Sequence, residues 1–368
     1  MRLITRTVAA FASLTLITGC TATTAEPGSA VITSPPEGLG RITELASGLD
    51  MPWGLAFLPD GSALVSGRAS GLIHRVPAEG GTPALVGEVP GVAQSAEGGL
   101  LGLATSPRFA DDRTVYAYVS SSPTNRVVAL RLAEDLESLR QDRIVLDGIG
   151  TANRHHGGRL RFGPDGNLWI ATGDAFDPPV APRRDNLNGK VLRIKPDGSI
   201  PEDNPFDTPV YSYGHRNVQG LTVGPDGTMY AAELGLNDWD EVNVIRVGED
   251  YGWPAAEGPD GEGGTRPVFW LPPAEASPSG IAYAEGALWM AGLRGQRLWR
   301  LPVAGGERTG EPVAYLTERY GRLRTVEVAP DGALWVTTSN TDQATLGGTP
   351  SREGDDRILR IELVPTPS

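Results

Sequence analysis

The chain has 368 residues, of which 39% are hydrophobic, with 48 glycines and 31 prolines. This length can bury a large core, and the apolar content excludes a disordered protein. The formal net charge of −13 excludes a protein that binds nucleic acid, because such a protein needs basic patches for the phosphates.

The first twenty residues predict export and attachment to a membrane. Arg2 and Arg6 form a basic N-terminal region, and the apolar stretch that follows is too short for an ordinary membrane-spanning helix. Ile-Thr-Gly-Cys then ends at Cys20, the single cysteine, and resembles a bacterial lipobox. We therefore expect a lipoprotein signal peptide at 1–19, a flexible tether at 20–38 and a lipidated Cys20 on the outer, periplasm-facing side of the cytoplasmic membrane.

One short pattern recurs along the rest of the chain. A turn of the form x-Pro-Asp-Gly precedes an apolar or aromatic strand, with clear copies at Asp60, Asp165, Asp226 and Asp331 and degenerate copies near Phe109 and Glu285. Proline presets φ for a turn, and Asp-Gly supplies the positive φ that closes a hairpin. Each interval of about 50 to 60 residues has room for a four-stranded antiparallel unit. Six units predict an all-β chain folded as a six-bladed β-propeller over 39–364.

Strand-like runs fill these intervals. In chain order they are LIHRV at 72–76, RVVALRL at 126–132, KVLRIKP at 190–196, EVNVIRV at 241–247, RLWRLPV at 297–303 and RILRIEL at 357–363. The single helix that the sequence predicts spans 132–141. A pair of β-sandwiches is the alternative fold, but it requires a linker near the middle, and no break in composition lies between Arg41 and Leu363.

The histidines offer a candidate general base. His155 and His156 stand in a loop before a strand of the third repeat. Histidine titrates near neutral pH, which suits removal of a hydroxyl proton. Asp174 ends the next predicted strand, and that strand would return it to the same rim of the ring, where it could orient an imidazole. The alternative is a pair of solvated loop histidines.

Two further segments carry cationic and amide side chains. Arg216, Asn217 and Gln219 open the fourth repeat and should lie on one rim. A planar guanidinium beside amides suits an anionic or carbonyl-rich ligand. Arg322 and Arg324 alternate on a strand of the last repeat. Several arginines that converge in an acidic protein predict an acidic cofactor.

An acidic loop follows in the fourth repeat. Its carboxylates are Glu233, Asp238, Asp240, Glu241 and Glu249. Carboxylates together with the carbonyls of glycine-containing loops are the hard oxygen ligands that calcium prefers. A solvated acidic loop is the alternative interpretation.

The usual nucleotide and hydrolase motifs are absent from the sequence. It has no Gly-rich fingerprint between a strand and a helix, no Walker loop and no βαβ alternation, which excludes NAD, FAD and ATP in their usual folds. It also has no Gly-x-Ser-x-Gly elbow and no Cys/His cluster with metal-ligand spacing.

Taken together, these segments resemble the soluble glucose dehydrogenases and aldose sugar dehydrogenases that depend on pyrroloquinoline quinone (PQQ). The similarity runs from about Pro52 to Leu363 and rests on PWGLAFLPDG, EGGLLGLATSPRF, HHGGRLRFGPDG, GKVLRIKPDGSIPEDNPF, GHRNVQGL, DEVNVI, DYGWP and RLRTVEVAPDG, in the expected order. The chain is short between Asp174 and Lys190. In this it is similar to the aldose sugar branch, which implies an open site and a broad choice of sugar.

The resemblance implies an oxidoreductase that converts aldose sugars to lactones at C1 with PQQ and calcium (Ca²⁺) and passes electrons to an unknown acceptor. It implies that His155 is the general base and that Asp174 hydrogen-bonds to it. Arg216 would lie near the reactive quinone carbonyl.

The same resemblance implies the ligands of the cofactor and of calcium. The cofactor contacts would be Arg216, Asn217, Gln219, Arg322, Arg324 and, in place of a family lysine, Arg294. The calcium ligands would be the main-chain carbonyls of Gly235 and Leu236 at a catalytic site, and Glu241 with the carbonyl of Tyr251 at a structural site. Glu97 stands where the family places a glutamine near the sugar.

Two other functions are compatible with a propeller of this sequence. A calcium-dependent lactonase would hydrolyse the lactone and would need acidic ligands at the centre of the ring, which the arginines argue against. A non-catalytic propeller that binds sugar or protein would keep the loops without the cofactor.

Overall fold

The computed structural model describes residues 38–261, 263–342 and 351–364. The predicted signal peptide, Cys20 and all of the tether except residue 38 lie outside these residues. Within the described part of the chain, no helix is both long enough and apolar enough to cross a lipid bilayer.

The described chain forms six antiparallel sheets, and the first strand, β1 (Leu39–Ala46), belongs to the last of them. The first blade consists of β2 (Pro52–Phe57), β3 (Ala63–Gly67), β4 (Leu72–Val76) and β5 (Ala84–Glu88). The second consists of β6 (Leu100–Thr105), β7 (Thr114–Val119), β8 (Thr124–Leu132) and β9 (Leu139–Gly150). The third consists of β10 (Gly157–Phe162), β11 (Leu168–Thr172), β12 (Lys190–Ile194) and β13 (Val210–Tyr213).

The remaining three blades complete the ring. The fourth blade consists of β14 (Val218–Val223), β15 (Met229–Glu233), β16 (Asp240–Ile245) and β17 (Phe269–Leu271). The fifth consists of β18 (Pro278–Ala284), β19 (Ala287–Gly292), β20 (Arg297–Ala304), β21 (Glu307–Arg308) and β22 (Val313–Tyr315), the last two both paired with β20. The sixth consists of β23 (Leu323–Val328), β24 (Leu334–Thr338), β25 (Ile358–Leu363) and, as its outer strand, β1.

The innermost strands of the blades contact one another around a closed ring. β2, β6, β10, β14, β18 and β23 each touch the next, and β23 touches β2. The prediction of an all-β, six-bladed propeller is confirmed, and the alternative of two sandwiches is wrong. The core lies between the blades and includes the buried Trp53, Trp289 and Trp335.

The recurring Pro-Asp-Gly segments are the turns between the first and second strands of the blades. In four of them the glycine has positive φ: Gly61, Gly166, Gly227 and Gly332. The aspartate before each glycine accepts the backbone N–H two residues further on, as Asp165 does from Asn167 at 3.0 Å. Both features are those expected of Asx-type turns.

The helix predicted at 132–141 is wrong. β8 and β9 run antiparallel there, with Leu132 opposite Leu139, and Leu136 has a φ of +60° in the turn between them. These leucines are spaced like one face of a helix, but pairing with β8 supplies the backbone hydrogen bonds of β9 instead. Helical structure in the described residues is limited to α1 (Phe109–Asp112) and a 3-10 turn at Pro178–Val180.

Every innermost strand carries a shift in register near its start. The shifts fall in Pro52–Leu55, Leu100–Leu103, Gly157–Leu160, Val218–Gly220, Pro278–Ile281 and Leu323–Val326. A bulge of this kind bends a strand and re-aims the side chain at that position. Trp53, Arg159, Gln219 and Arg324 stand at these bulges and contact one another across the middle of the ring.

Candidate active site

His155 and Asp174 meet on one face of the ring. His155 lies just before β10 and Asp174 just after β11, and Nδ1 of the imidazole is 2.7 Å from Oδ1 of the carboxylate. The carboxylate can only accept, so Nδ1 carries the proton and Nε2 is left as the basic nitrogen. Within the described residues, Nε2 has no hydrogen-bond partner. In this arrangement the imidazole can accept a proton at Nε2 while Asp174 orients the ring.

The backbone of His155 is held in an unusual conformation. Its φ is +59°, a left-handed value that histidine adopts at a cost in energy. Its N–H donates to Oε2 of Glu97 at 2.9 Å, and its carbonyl accepts the N–H of Ala175 at 3.2 Å. A side chain at Gly173 would press against this carbonyl. The backbone of His155 is thus held by contacts on both sides.

Trp253 supports Asp174 from the other side, and the sequence did not predict this role. Asp174 is fully buried, and its Oδ2 accepts a hydrogen bond from the indole N–H of Trp253 at 2.9 Å. The guanidinium of Arg216 lies over the same indole, 5.4 Å from the ring centroid. Trp253 belongs to the motif DYGWP, which carried the family resemblance but gave no separate signal for its tryptophan.

His156 occupies a different environment from its neighbour. Its Nε2 lies 3.1 Å from the hydroxyl of Ser95, and its Nδ1 lies 3.1 Å from the hydroxyl of Ser120. Burial lowers the pKa of His156 to about 4. With both ring nitrogens engaged and the ring neutral, His156 is suited to packing and hydrogen bonding rather than to proton transfer.

A cluster of buried arginines lies beside the histidine–aspartate pair. Asp342 binds two of them, with contacts of 2.9 Å to Arg324 and 3.0 Å to Arg68. Burial lowers the pKa of Arg324 to about 10, still well above neutral pH. Arg322 is also buried, and its charge interacts with that of Asp342. Neither Arg68 nor Asp342 was identified from the sequence, because neither lies in a segment with a chemical motif.

Several donors in this region lack a partner. Among the described residues, the buried Nε atoms of Arg68, Arg216 and Arg322 make no hydrogen bond. Buried donors without partners are rare in proteins, and here they belong to cations. The donor set therefore fits an anionic ligand that is rich in oxygen.

The fourth blade contributes the other predicted cofactor contacts. Arg216 donates to the carbonyl of Leu234 at 3.1 Å, and its backbone N–H binds the carboxylate of Glu233. The side-chain oxygen of Asn217 accepts the N–H of Gly157 at 3.0 Å. Oε1 of Gln219 accepts from Arg324 at 3.2 Å.

A narrow cavity joins these groups. It is lined by Trp53, Glu97, His156, Gly157, Gln219, Leu234, Ser277, Leu293, Arg324 and Asp342. The backbone N–H of His155 donates to Glu97, which is one of the lining residues. The structure thus brings the predicted Glu97, His155, Gln219 and Arg324 together. Arg294, next to Leu293, is exposed and makes no hydrogen bond or ion pair with the cluster in the described chain.

The acidic loop contains carbonyls that could bind a cation. Glu257 accepts the N–H of Leu236 at 2.8 Å, and Asp240 accepts that of Gly235 at 2.9 Å. In the described chain, no donor is bonded to the carbonyl oxygens of Gly235 and Leu236. The two carboxylates therefore hold the turn while its predicted calcium ligands stay free.

Glu241 lies in a second oxygen-rich position. Burial and then the charge of Glu233 raise its pKa to about 7. Asn243 donates to Glu241 at 3.0 Å, and its buried Oδ1 has no partner among the described residues. The side chain of Tyr251 packs nearby on His215, with the ring centroids 4.4 Å apart. The described residues contain no group of three or more His, Cys, Asp or Glu side chains placed to hold a metal ion, so any calcium here needs carbonyl ligands.

The fold and the site define a six-bladed propeller with a histidine–aspartate pair beside a buried cationic pocket. The chain belongs to the glucose/sorbosone dehydrogenase family, whose model matches residues 49–347. The family recognised from the sequence is confirmed, and the chain is an oxidoreductase of that family.

Individual relatives cover most of the chain. The aldose sugar dehydrogenase YliI of Escherichia coli is 32% identical over 338 residues, which span 82% of this chain and 90% of that protein. The PQQ-bound aldose sugar dehydrogenase of Streptomyces coelicolor is 48% identical, with a TM-score of 0.84 over 90% of this chain and 100% of that one. The quinoprotein glucose dehydrogenase B of Acinetobacter calcoaceticus is 34% identical over 249 residues, 58% of this chain and 52% of that protein.

Proposed function

We propose that this protein oxidises aldose sugars at C1 to lactones, with PQQ and calcium as cofactors and His155 as the general base. The observation that carries the proposal is the bond between His155 and Asp174, with a free Nε2 beside a buried cluster of arginines. The PQQ-bound relative from Streptomyces supports the choice of cofactor.

The donor set fits PQQ, which is a planar tricarboxylate with quinone oxygens. Arg322 and Arg324 would hold carboxylates, and the orphaned donors of Arg68 and Arg216 offer further bonds. A guanidinium binds a carboxylate through two parallel hydrogen bonds, which gives both charge and orientation. When bound, PQQ supplies a two-electron acceptor for a hydride.

Calcium fits the neighbouring loop. The free carbonyls of Gly235 and Leu236 would hold a catalytic ion, and Glu241, Asn243 and the carbonyl of Tyr251 would hold a structural one. The charge of the catalytic ion, together with that of Arg216, would stabilise negative charge that develops on the acceptor.

The protein's own residues account for the proton in this reaction. Nε2 of His155 takes the proton from the anomeric hydroxyl of the sugar, and C1 loses a hydride, which leaves the lactone. Asp174 keeps the imidazole in the tautomer that accepts at Nε2 and stabilises the imidazolium that forms. Trp253 holds Asp174 in place. Glu97, which lines the cavity, would contact the sugar.

Reconstitution tests the proposal against its alternatives. Apo-protein is titrated with PQQ with and without calcium, followed by absorbance, and then assayed with D-glucose and an artificial electron-accepting dye. We expect calcium-dependent binding and sugar oxidation. Hydrolysis of gluconolactone without sugar oxidation would indicate a lactonase, and the absence of PQQ binding would indicate a non-catalytic propeller. Either result would overturn the proposal.

Arg324 provides a sharper test of the cofactor site. Replacing it by alanine leaves Asp342 with one guanidinium fewer and removes a charged donor, so Arg324→Ala should weaken PQQ binding about ten- to a hundred-fold. Arg294→Ala is the control, since Arg294 is exposed and should have a smaller effect. Wild-type affinity in Arg324→Ala, measured by cofactor titration, would remove this arginine from the site.

We also propose that the protein is exported and held at the outer face of the cytoplasmic membrane through a lipidated Cys20. The support is the lipobox-like sequence that ends at this single cysteine.

A further inference from the structure

We propose that Phe176 is a substrate platform: its exposed ring stacks on the apolar C–H face of a pyranose whose anomeric hydroxyl reaches His155. The proposal rests on the sugar oxidation proposed above and names the form of sugar that the site selects.

The position of the ring is the first observation. Phe176 is 64% exposed, more than any other large apolar side chain that the structure describes, and it is the single aromatic residue among the exposed ones. Its ring centroid lies 5.0 Å from that of His155, at an interplanar angle of 65°. An exposed apolar ring therefore stands directly beside the imidazole that would accept the substrate proton.

The backbone that presents the ring is the second observation. Ala175 and Phe176 have φ values of +53° and +61°, so two successive non-glycine residues are left-handed. Strain of this kind persists only where the surroundings impose it, and it gathers at functional sites. The strained backbone and the unburied ring both raise the free energy of the folded chain at this one place.

One carboxylate oxygen links the ring to the base. Oδ1 of Asp174 accepts the backbone N–H of Phe176 at 2.9 Å and also lies 2.7 Å from Nδ1 of His155. The backbone that carries the ring is therefore tied to the same carboxylate oxygen as the imidazole. A substrate that rests on the ring would present its reacting atom to Nε2 in one orientation, as near-attack geometry requires.

The chemistry of an exposed phenyl ring defines the substrate. It has no hydrogen-bonding group, so it distinguishes molecules by shape and apolar surface. A pyranose with equatorial hydroxyls, such as β-D-glucopyranose, offers a flat face of axial C–H bonds. An axial hydroxyl interrupts that face, and an open-chain aldehyde has none. The site should therefore prefer cyclic sugars with an uninterrupted face.

Sugar binding to the apo-protein tests the platform without the redox reaction. Saturation-transfer difference NMR with D-glucose should show strong transfer to the axial ring protons in wild type and in Phe176→Tyr. The same protons should lose most of the signal in Phe176→Ala. Equal transfer in all three proteins would overturn the proposal. Thermal melting of each variant checks the fold, which should be kept because the ring is exposed.

Kinetics of the PQQ-loaded enzyme give the second measurement. In Phe176→Ala, KM for D-glucose should rise about ten- to thirty-fold, with kcat changed less than about three-fold. KM for D-allose, which has an axial hydroxyl at C3, should change less. The pH profile should stay in place, because His155 keeps its bond to Asp174; a shifted profile would mean that the ring positions the base and would overturn the platform.

One outcome distinguishes a sugar platform from a contact for a protein partner. A second outcome separates failure of the platform from failure of the proposed function. If Phe176→Ala keeps the wild-type KM for sugar but transfers electrons more slowly to a protein acceptor, the ring is a docking contact and the platform is wrong. If saturation transfer to the sugar protons depends on Phe176 but the wild-type protein oxidises no aldose, the proposed function fails while the platform stands.

Discussion

His155 and His156 show how two adjacent side chains acquire different chemistry. One faces a carboxylate and keeps a free nitrogen, and the other is enclosed by serine hydroxyls. Adjacent residues that leave a loop for a strand point in different directions. The sequence alone offered both histidines as candidates, and the family motif selected His155. In the structure it is His155 that contacts Asp174.

The buried, neutral His156 should make the protein sensitive to acid. Its pKa is about 4 when folded, against about 6.5 when unfolded, so the unfolded chain binds more protons between these values. Stability is therefore fully present above pH 6.5 and falls as the pH drops toward 4. From pH 7.5 to pH 5 the loss due to this group should be about 2 kcal/mol.

Urea unfolding measures this contribution. The free energy of unfolding of wild type and His156→Asn is compared at about pH 7.5 and pH 5, and the variant should lose about 2 kcal/mol less on acidification. Equal losses in the two proteins would show that His156 is not held neutral by burial.

Trp253 should act on the reaction through Asp174. Trp253→Phe removes the N–H that binds this carboxylate and keeps a ring under Arg216. Asp174 then loses its bond at Oδ2 and holds the imidazole of His155 less firmly. Single-turnover sugar oxidation should therefore slow about two- to ten-fold.

The rate of single-turnover sugar oxidation checks this expectation. Trp299→Phe is a matched control, because it removes an indole bond to a backbone carbonyl (Glu275, 3.0 Å) in the fifth blade. The rate of the control should not change. An unchanged rate in Trp253→Phe would mean that the indole only packs against the site.

The innermost strands depend on glycine where neighbouring blades approach the middle of the ring. A Cβ at Gly54, Gly102, Gly220 or Gly280 would meet the backbone of the next blade at less than ordinary contact distance. At Gly102 the obstacle is the carbonyl oxygen of Gly158, which cannot move without shifting β10. These glycines set how closely the blades pack.

Gly102→Ala should therefore destabilise the propeller by about 1 to 3 kcal/mol through overpacking. Gly310→Ala is the control, because its nearest neighbour is the ring of Pro302 at 3.2 Å and the turn can adjust. Thermal unfolding would compare the two. A Gly102→Ala protein as stable as the control would show that the ring can expand at this point.

The turns and strands could be predicted where the sequence pattern that specifies them is local. The Pro-Asp-Gly turns and the alternating runs located the strands, because turn chemistry and side-chain alternation depend on neighbours in sequence. The prediction of a helix at 132–141 was wrong. The leucine spacing of this segment suits a helix, but its pairing with β8 decides the structure. The register shifts of the innermost strands have no local signature.

At the scale of the whole molecule, the site is assembled from distant parts of the chain. Trp53 comes from the first blade, His155 from the entrance to the third, Gln219 from the fourth and Arg324 from the sixth. Their convergence follows from the closed ring and could be expected only with the fold in mind. Arg68 and Asp342 were missed because neither lies in a chemical motif, and Trp253 was missed because DYGWP gave no separate signal for its tryptophan.

Membrane attachment tests the proposed location of the whole protein. Wild type should partition into detergent, and Cys20→Ala should not, because lipid chains on this cysteine would supply the anchor. Cells that express each form would be fractionated and the protein detected by antibody. A Cys20→Ala protein that stays with the membrane would contradict a lipid anchor at this residue.

Stopped-flow reduction of bound PQQ by D-glucose tests the central claim most directly, because it isolates proton and hydride transfer from the later electron acceptor. His155→Ala should still bind PQQ but reduce it about 10² to 10⁴ times more slowly than wild type. His156→Asn should stay within about ten-fold of wild type, since its ring only packs and hydrogen-bonds. Rapid reduction in His155→Ala together with a dead His156→Asn would contradict the account and move the base to His156.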